Sequence, residues 1–246
     1  MKSFFVNNGL VKIHVLENGV YSSKTPSLLV ISGLWEPAER AIPILSGISS
    51  HVVALSLRGR GLSSTPETGY SLEDHLSDIQ AVINHCKLQN YCVLGFSRGA
   101  SYALGWSLKN QQNMCGLIIG DQPPIHTKLS SENVKFWCSL EYLGVPILNF
   151  MRRKAIEGLG KEAEEIDFSS KISQLKIPVT LFVGRGKEVK ISSDILDETL
   201  QLYKEEIPSC EVIEFSKSGH MIPDEEPEKY IEKIISFINK IECNNV

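Results

Sequence analysis

Short apolar runs recur along the chain, and most are apolar at nearly every position. This pattern is typical of strands in a parallel sheet that is covered by helices on both faces, because neither side of such a strand meets water. Turn-forming and polar residues separate the runs. The pattern predicts six strands, at residues 27–32, 51–57, 91–96, 115–120, 178–184 and 210–216.

The N-terminal pattern is different. Residues 3–8 and 10–17 are separated by a short polar turn, and the second arm alternates between apolar and polar positions. Alternation with a period of two indicates a strand with one face buried. We therefore expect an antiparallel hairpin at the edge of the sheet.

Helical periodicity fills several gaps between the strands. Ser71 is a candidate N-cap, and Asp74 stands at the third helical position, as in a capping box. Apolar residues then recur at helical spacing, at Leu72, Leu76, Ile79 and Ile83. Further helices are predicted over 99–111 and 227–241. Alternating strands and helices predict an α/β fold with a doubly wound, mostly parallel sheet.

One segment interrupts this alternation. Residues 122–175 contain no clear strand pattern but hold many aromatic and aliphatic residues, which is too apolar and too long for a plain loop. The sequence predicts a short helical cap inserted at 122–175 into a single domain that spans 1–246.

A serine flanked by glycines follows the run at 91–96. Gly95-Phe96-Ser97-Arg98-Gly99 fits the pattern G-x-S-x-G between a predicted strand and a predicted helix. In that setting the serine occupies a sharp turn that exposes its Oγ, and the flanking positions have no room for side chains. Since a serine hydroxyl is a poor nucleophile at neutral pH, it needs a neighbouring base.

Among the six histidines, His220 is the best candidate for that base. It lies in a loop directly after the last predicted strand and before the predicted C-terminal helix. His126, at the start of the cap, could line a pocket, although a surface role is favoured. The other histidines fall on predicted strands or helices, where packing or solvated roles are expected.

The segments SLLVISGLW, LRGRGLSS, VLGFSRG and SKSGHMIP together resemble the α/β-hydrolase fold family. The resemblance covers nearly the whole chain and is weakest at 122–175, where that family has a variable cap. It implies that Ser97 attacks a carbonyl carbon, that His220 takes the proton, and that the backbone N–H groups of Leu34 and Arg98 hold the oxyanion.

The identity of the acidic partner of His220 is left open by the sequence. The family places it after the penultimate strand, where Lys187 occupies the usual position and Glu188 follows. Some members carry it after the preceding strand, which here indicates Asp121. Asp194 is a third candidate, with a helix-capping role favoured for it. We expect Glu188, with Asp121 as the alternative.

Arg98 also departs from the family pattern, which favours a small or apolar residue there. Its side chain could project over the pocket and favour an anionic substrate, or it could pair with a surface carboxylate. The second interpretation is favoured.

Composition excludes some function classes. The net charge is −4 and no basic cluster is present, which argues against nucleic acid as a partner. No apolar stretch is long enough to span a membrane, and no metal-ligand or nucleotide-binding pattern is present, so no cofactor or metal is expected. Six scattered cysteines without a short-spaced pair, and the lack of a signal peptide, favour a cytoplasmic location.

The expected function is hydrolysis of a small or medium carboxylic ester through an acyl-enzyme on Ser97, with thioesters, lactones or amides as alternatives. The partner is then a small-molecule substrate, and the apolar cap suggests an apolar acyl or alcohol group. The fold also hosts lyases, haloperoxidase-like enzymes and inactive ligand-binding proteins, so these remain alternatives.

Overall fold

The computed structural model describes residues 1–22 and 24–244. Its central feature is a sheet of eight strands in the order β1-β2-β4-β3-β5-β6-β11-β12. The strands of this sheet are β1 (Lys2–Asn8), β2 (Val11–Asn18), β3 (Ser27–Ile31), β4 (Val52–Ser56), β5 (Tyr91–Phe96), β6 (Met114–Gly120), β11 (Val179–Gly184) and β12 (Glu211–Phe215). All six strands predicted from continuous apolar runs are present.

The hairpin prediction is also confirmed. β1 pairs with β2 in an antiparallel register that joins Lys2 to Glu17 and Asn8 to Val11. β2 pairs antiparallel with β4, and every later pairing in the sheet is parallel. The parallel strands β3 to β5 are buried at every position, as their continuous apolar sequences require.

Helices cover both faces of the sheet. One apolar core lies beneath α2, α3 and α6, and a second lies beneath α1 and α8. The helices are α1 (Ile42–Gly47), α2 (Leu72–Cys86), α3 (Arg98–Asn110), α4 (Ser131–Ser139), α5 (Arg153–Lys161), α6 (Asp197–Glu206), α7 (Ile222–Glu225) and α8 (Pro227–Asn244). The doubly wound α/β architecture predicted from the sequence is therefore correct.

The predicted start of α2 is confirmed in detail. The Ser71 side chain accepts a hydrogen bond from the backbone N–H of Asp74 (3.2 Å), and the Asp74 carboxylate accepts one from the backbone N–H of Ser71 (3.0 Å). This reciprocal pair satisfies two N–H groups that the first helical turn leaves without partners.

Residues 122–175 contain α4, α5 and four strands of two residues each, which are too short to give a readable period. These strands are β7 (Ile125–His126), β8 (Glu141–Tyr142), β9 (Val145–Pro146) and β10 (Ile166–Asp167). Apolar residues of this segment form a third cluster with Leu34, Trp35 and Tyr70 from the sheet side. The division of the chain into one domain with a cap at 122–175 stays a prediction.

Candidate active site

Ser97 lies in the sharp turn between β5 and α3. Its backbone has φ of 53° and ψ of −132°, a conformation that residues with a side chain rarely adopt. Such strain costs on the order of 1–3 kcal/mol and persists only where the surrounding structure enforces it. Here Ser97 N–H donates to Gly120 O (2.8 Å), and Ser97 O accepts from Ala100 N–H (2.8 Å), so the turn is held on both sides.

Close packing explains the glycines around Ser97. A Cβ at Gly95 would lie 2.5 Å from the Ala100 Cα, and a Cβ at Gly99 would overlap the carbonyl oxygens of Ile31 and Ser32. Both glycines have negative φ, so what they provide is space for α3 to approach β3 and β5. This proximity brings the N-terminus of α3 directly to Ser97.

His220 lies beside Ser97 and is oriented by the loop after β12. Its Nε2 is 2.9 Å from Ser97 Oγ, and its ring stacks on Phe96 with ring centres 5.4 Å apart. The backbone N–H of His220 donates to Ile191 O (2.9 Å), which fixes the loop. The structure thus brings together the serine and the histidine that the sequence singled out.

Asp121 stands against the other nitrogen of this imidazole. It directly follows β6, is fully buried, and places Oδ2 2.8 Å from His220 Nδ1. Its carboxylate also accepts hydrogen bonds from Gly184 N–H (3.0 Å), Ser193 Oγ–H (2.5 Å) and Asp194 N–H (2.9 Å). These donors fix the carboxylate in one orientation.

This geometry corrects the expectation for Glu188. Its side chain is exposed, and it is Asp121 that occupies the position beside His220 Nδ1. The reason lies at the end of β11 and in the loop that follows it. The Gly184 N–H donates to Asp121, and the Gly186 N–H donates to Ser218 O (2.7 Å) in the loop that carries His220. The loop therefore supports the acidic residue instead of providing it.

A second carboxylate, Asp194, lies close to the same nitrogen. Its Oδ2 is 3.4 Å from His220 Nδ1, and about half of its side chain (52%) is exposed. Sequence reasoning favoured a helix-capping role for it, but α6 begins at Asp197 with Leu196 at the cap position. Burial, together with the neighbouring Asp121 charge, raises the pKa of Asp194 although the imidazole acts in the opposite direction.

The protonation of His220 reflects opposing effects. Burial alone would lower its pKa, but the hydrogen bond to Asp121 and the charges of Asp194, Asp121 and Glu36 outweigh it, so the pKa is raised above its ordinary value. An imidazole in this setting is a stronger base and more readily holds a proton taken from Ser97.

Glu36 is a functional candidate that sequence reasoning missed. It is a buried carboxylate whose Oε2 accepts from Gly33 N–H (2.7 Å), three residues earlier in the turn after β3. A Cβ at Gly33 would lie 3.6 Å from the Ser97 Cβ, so this turn packs against the serine. The sequence signal for Glu36 is an acidic residue three positions after the glycine of SGLW.

The two backbone N–H groups expected to hold an oxyanion belong to this region. Arg98 is the first residue of α3, so its N–H has no acceptor within the helix. Leu34 follows Gly33 in the turn, and its carbonyl accepts from Arg60 Nε (2.9 Å). Their role in oxyanion binding stays a prediction, which the position of the turn beside Ser97 supports.

Arg40 connects the turn to the histidine loop. Its Nε donates to Glu36 (3.1 Å), and its Nη2 donates to both carboxylate oxygens of Asp224 (2.8 and 2.7 Å), which lies four residues after His220. Tyr142 also donates to Asp224 (2.5 Å). Residues from three separate parts of the chain are thus joined at one side of the site.

The structure also corrects the expectation for the Arg98 side chain. It is buried, and within the described part of the chain its contacts are with neutral groups instead of a surface carboxylate. Nε donates to the Tyr102 hydroxyl (2.9 Å), Nη1 to Thr127 Oγ1 (3.2 Å), and Nη2 lies 3.4 Å from His126 Nε2. His126 is itself buried, which differs from the surface role favoured for it.

Within residues 1–22 and 24–244, no group of three or more His, Cys, Asp or Glu side chains is arranged to hold a metal ion. No helix in the same part of the chain is both long and apolar enough to cross a membrane. The contacts at the site join a serine, an imidazole and a carboxylate.

Comparison with known proteins finds similar chains. The family model described as alpha/beta hydrolase fold matches residues 26–137. N-formylmaleamate deformylase from Pseudomonas putida is 23% identical in an alignment that covers 96% of this chain and 98% of that protein.

Solved structures give the same result for the fold. An esterase from Exiguobacterium antarcticum superposes with a TM-score of 0.77 at 20% identity, covering 97% of this chain and 100% of the other. E-2-(acetamidomethylene)succinate hydrolase superposes with a TM-score of 0.76 at 19% identity, covering 97% and 99%. The chain therefore has the alpha/beta hydrolase fold, and its match to the family model lies in residues 26–137.

Proposed function

We propose that the protein is a serine hydrolase in which Ser97, His220 and Asp121 form the catalytic triad. The observation that carries the proposal is the continuous pair of contacts, 2.9 Å from Ser97 Oγ to His220 Nε2 and 2.8 Å from His220 Nδ1 to Asp121 Oδ2. Asp121 accepts a hydrogen bond from Nδ1–H, which keeps the proton on Nδ1 and leaves Nε2 free to accept the proton of the serine.

The reaction follows from this arrangement. Ser97 Oγ attacks the carbonyl carbon of the substrate while His220 Nε2 takes the hydroxyl proton, and the resulting oxyanion faces the N–H groups of Leu34 and Arg98. The imidazolium then gives its proton to the leaving group, and an acyl-serine remains. Water, deprotonated by His220, attacks this acyl group and releases the carboxylic acid and free serine.

A carboxylic ester is the substrate class that we propose first. Amides come second, because a curated relative over nearly the full chain is a deformylase, which removes a formyl group. Residues 122–175 are proposed to act as the cap, since their apolar side chains pack with Leu34 and Trp35 beside the turn that faces Ser97. A small-molecule substrate would bind between this cap and the end of the sheet.

The decisive experiment combines covalent labelling with turnover. A fluorophosphonate probe should label the wild-type protein once, at Ser97, and should not label Ser97→Ala. Hydrolysis of p-nitrophenyl acetate should be lost in Ser97→Ala and in His220→Ala. A folded wild-type protein that neither reacts with the probe nor cleaves the ester would refute the proposal and favour a ligand-binding protein.

Lyase chemistry uses the same triad and needs a separate readout. Hydrolysis carried out in ¹⁸O-labelled water must place one labelled oxygen in the released carboxylic acid. A product without the label would indicate cleavage without water uptake.

A further inference from the structure

Two buried arginines, Arg60 and Arg98, lie near the turn after β3 and near Ser97, and among the described residues neither forms an ion pair with a carboxylate. Arg60 is almost completely buried (1% exposed) and Arg98 is 5% exposed. Arg60 Nε donates to Leu34 O (2.9 Å), while Arg98 directly follows Ser97 in the chain. Their guanidinium groups share one acceptor, the hydroxyl of Tyr102, at 3.5 and 2.9 Å.

The nearest buried carboxylate is already neutralised. Asp78 accepts two hydrogen bonds from Arg58, from Nη2 to Oδ1 (2.7 Å) and from Nε to Oδ2 (2.8 Å). This bidentate pair, together with Asp74 at 3.6 Å from Arg58, neutralises Arg58, while Asp78 offsets the charge of Arg60 only in part.

The remaining partners of the two arginines are neutral. Arg60 Nη1 contacts Arg58 O (2.7 Å) and His75 Nε2 (3.0 Å), and Arg98 contacts Thr127 and His126. Burial and the adjacent arginines lower the pKa of His126 to about 3, so this histidine carries no compensating or additional charge at neutral pH. The cluster therefore holds two buried positive charges.

A charge buried without a full counter-charge is costly in free energy, and binding a counter-ion recovers part of that cost. Arg98 has N–H groups that could bind such a counter-ion. Of its five N–H groups, three face Tyr102, Thr127 and His126, which leaves two for a ligand. Arg98 Nη1 contacts the side chain of Thr127, and Thr127 and the next residue, Lys128, are exposed, so the buried guanidinium lies one side chain beneath the surface of this segment.

We propose that Arg98, supported electrostatically by Arg60, binds a carboxylate group of the substrate. The inference rests on the proposed serine hydrolase function and specifies its substrate class: half-esters or half-amides of dicarboxylic acids. Because the guanidinium belongs to the residue after the nucleophile, the carboxylate must lie within one side-chain length of the scissile carbonyl, as in a short diacid.

The test compares one anionic and one neutral ester of the same skeleton. Monoethyl fumarate carries a carboxylate, diethyl fumarate does not, and the trans double bond prevents the carboxylate from cleaving its own ester. The assay follows acid release at constant pH 7.5. Wild-type kcat/KM should be at least about tenfold higher for monoethyl fumarate, as expected for a hydrogen-bonded ion pair.

Arg98→Met should remove this preference, mainly through a higher KM for monoethyl fumarate, and Arg98→Lys should restore part of it. Lys128→Gln is the matched control, because it removes an exposed positive charge near the same position, and its preference should equal that of the wild type. Equal kcat/KM for both esters in the wild type, or an equal loss on both in Arg98→Met, would overturn the inference.

Binding gives a readout that does not depend on turnover. Calorimetry on Ser97→Ala should detect monoethyl fumarate, and the double variant with Arg98→Met should bind it at least about tenfold more weakly. If Ser97→Ala does not bind monoethyl fumarate, the inference fails even where the wild type hydrolyses diethyl fumarate. If it binds but the wild type neither cleaves an ester nor reacts with fluorophosphonate, the proposed hydrolase function fails and the anion site stands.

Discussion

Replacing Asp121 by asparagine is the sharpest test of the site, because the outcome distinguishes it from Glu188. In Asp121→Asn, the amide oxygen can keep the place of Oδ1, which accepts from Gly184 N–H and Ser193 Oγ–H. The NH₂ group then faces His220 Nδ1, which must accept a hydrogen bond instead of donating one. The imidazole proton moves to Nε2, and the histidine can no longer accept the proton of Ser97.

The size of the loss follows from this change of tautomer. The same substitution in a serine protease lowers kcat by about 10⁴-fold, which corresponds to about 5.4 kcal/mol. In this protein Asp194 lies 3.4 Å from the same nitrogen and can still stabilise the imidazolium. We therefore expect a smaller loss in Asp121→Asn, of about 10³-fold in kcat, and a further loss when Asp194→Asn is added.

The assay is hydrolysis of p-nitrophenyl acetate under single-turnover and steady-state conditions, with thermal unfolding measured on each variant. Glu188→Gln is the matched control, because it makes the same carboxylate-to-amide change on an exposed side chain. It should retain wild-type kcat. A large loss in Glu188→Gln together with wild-type activity in folded Asp121→Asn would refute the assignment.

Three further predictions follow from the geometry. Because the pKa of His220 is raised above 6.5, kcat/KM should rise with pH through a midpoint above that value, and Asp194→Asn, which removes a charge that stabilises the imidazolium, should shift the midpoint of the pH–rate profile downward. Glu36→Gln weakens the hydrogen bond that the Glu36 carboxylate accepts from Gly33 N–H. It should lower kcat about tenfold with little change in KM, as measured with p-nitrophenyl acetate. Gly99→Ala should lower the free energy of unfolding in urea by about 3 kcal/mol. Gly105→Ala, in the same helix, places a Cβ 3.3 Å from the end of the Leu72 side chain and 3.6 Å from the Phe168 ring, with no backbone atom in the way, and should be nearly neutral.

The sequence predicts the sheet and the two reacting residues for a simple physical reason. The strands are buried on both faces, so their composition alone identifies them, and Ser97 and His220 each follow directly from the end of one of these strands. Their convergence is then a consequence of parallel strands ending at the same edge of the sheet. The glycines beside Ser97 add local evidence, since only a tight turn requires them.

The acidic residue could not be assigned with the same reasoning. Two parallel strands end beside His220, and each is followed by carboxylates at different distances along the chain. Which of them reaches the imidazole depends on the backbone of the turn, and Asp121 does so from a residue with φ of 45°. A positive φ at a non-glycine residue directly after a strand leaves no periodic signal in the sequence.

Sequence reasoning missed Glu36, Arg40 and Asp224 because their contacts join parts of the chain that are far apart in the sequence. Glu36 and Arg40 are four residues apart in the segment after β3. Asp224 lies near the C-terminus, four residues after His220. The bidentate contact of Arg40 with Asp224 fixes the oxyanion turn relative to the histidine, although 184 positions separate the two residues. Since the oxyanion donors and the base must act on the same carbonyl group, this pair controls a distance on which the rate depends steeply. We therefore expect the rate of the proposed reaction to depend also on side chains that touch neither the serine nor the substrate, and these are the residues that a motif search passes over.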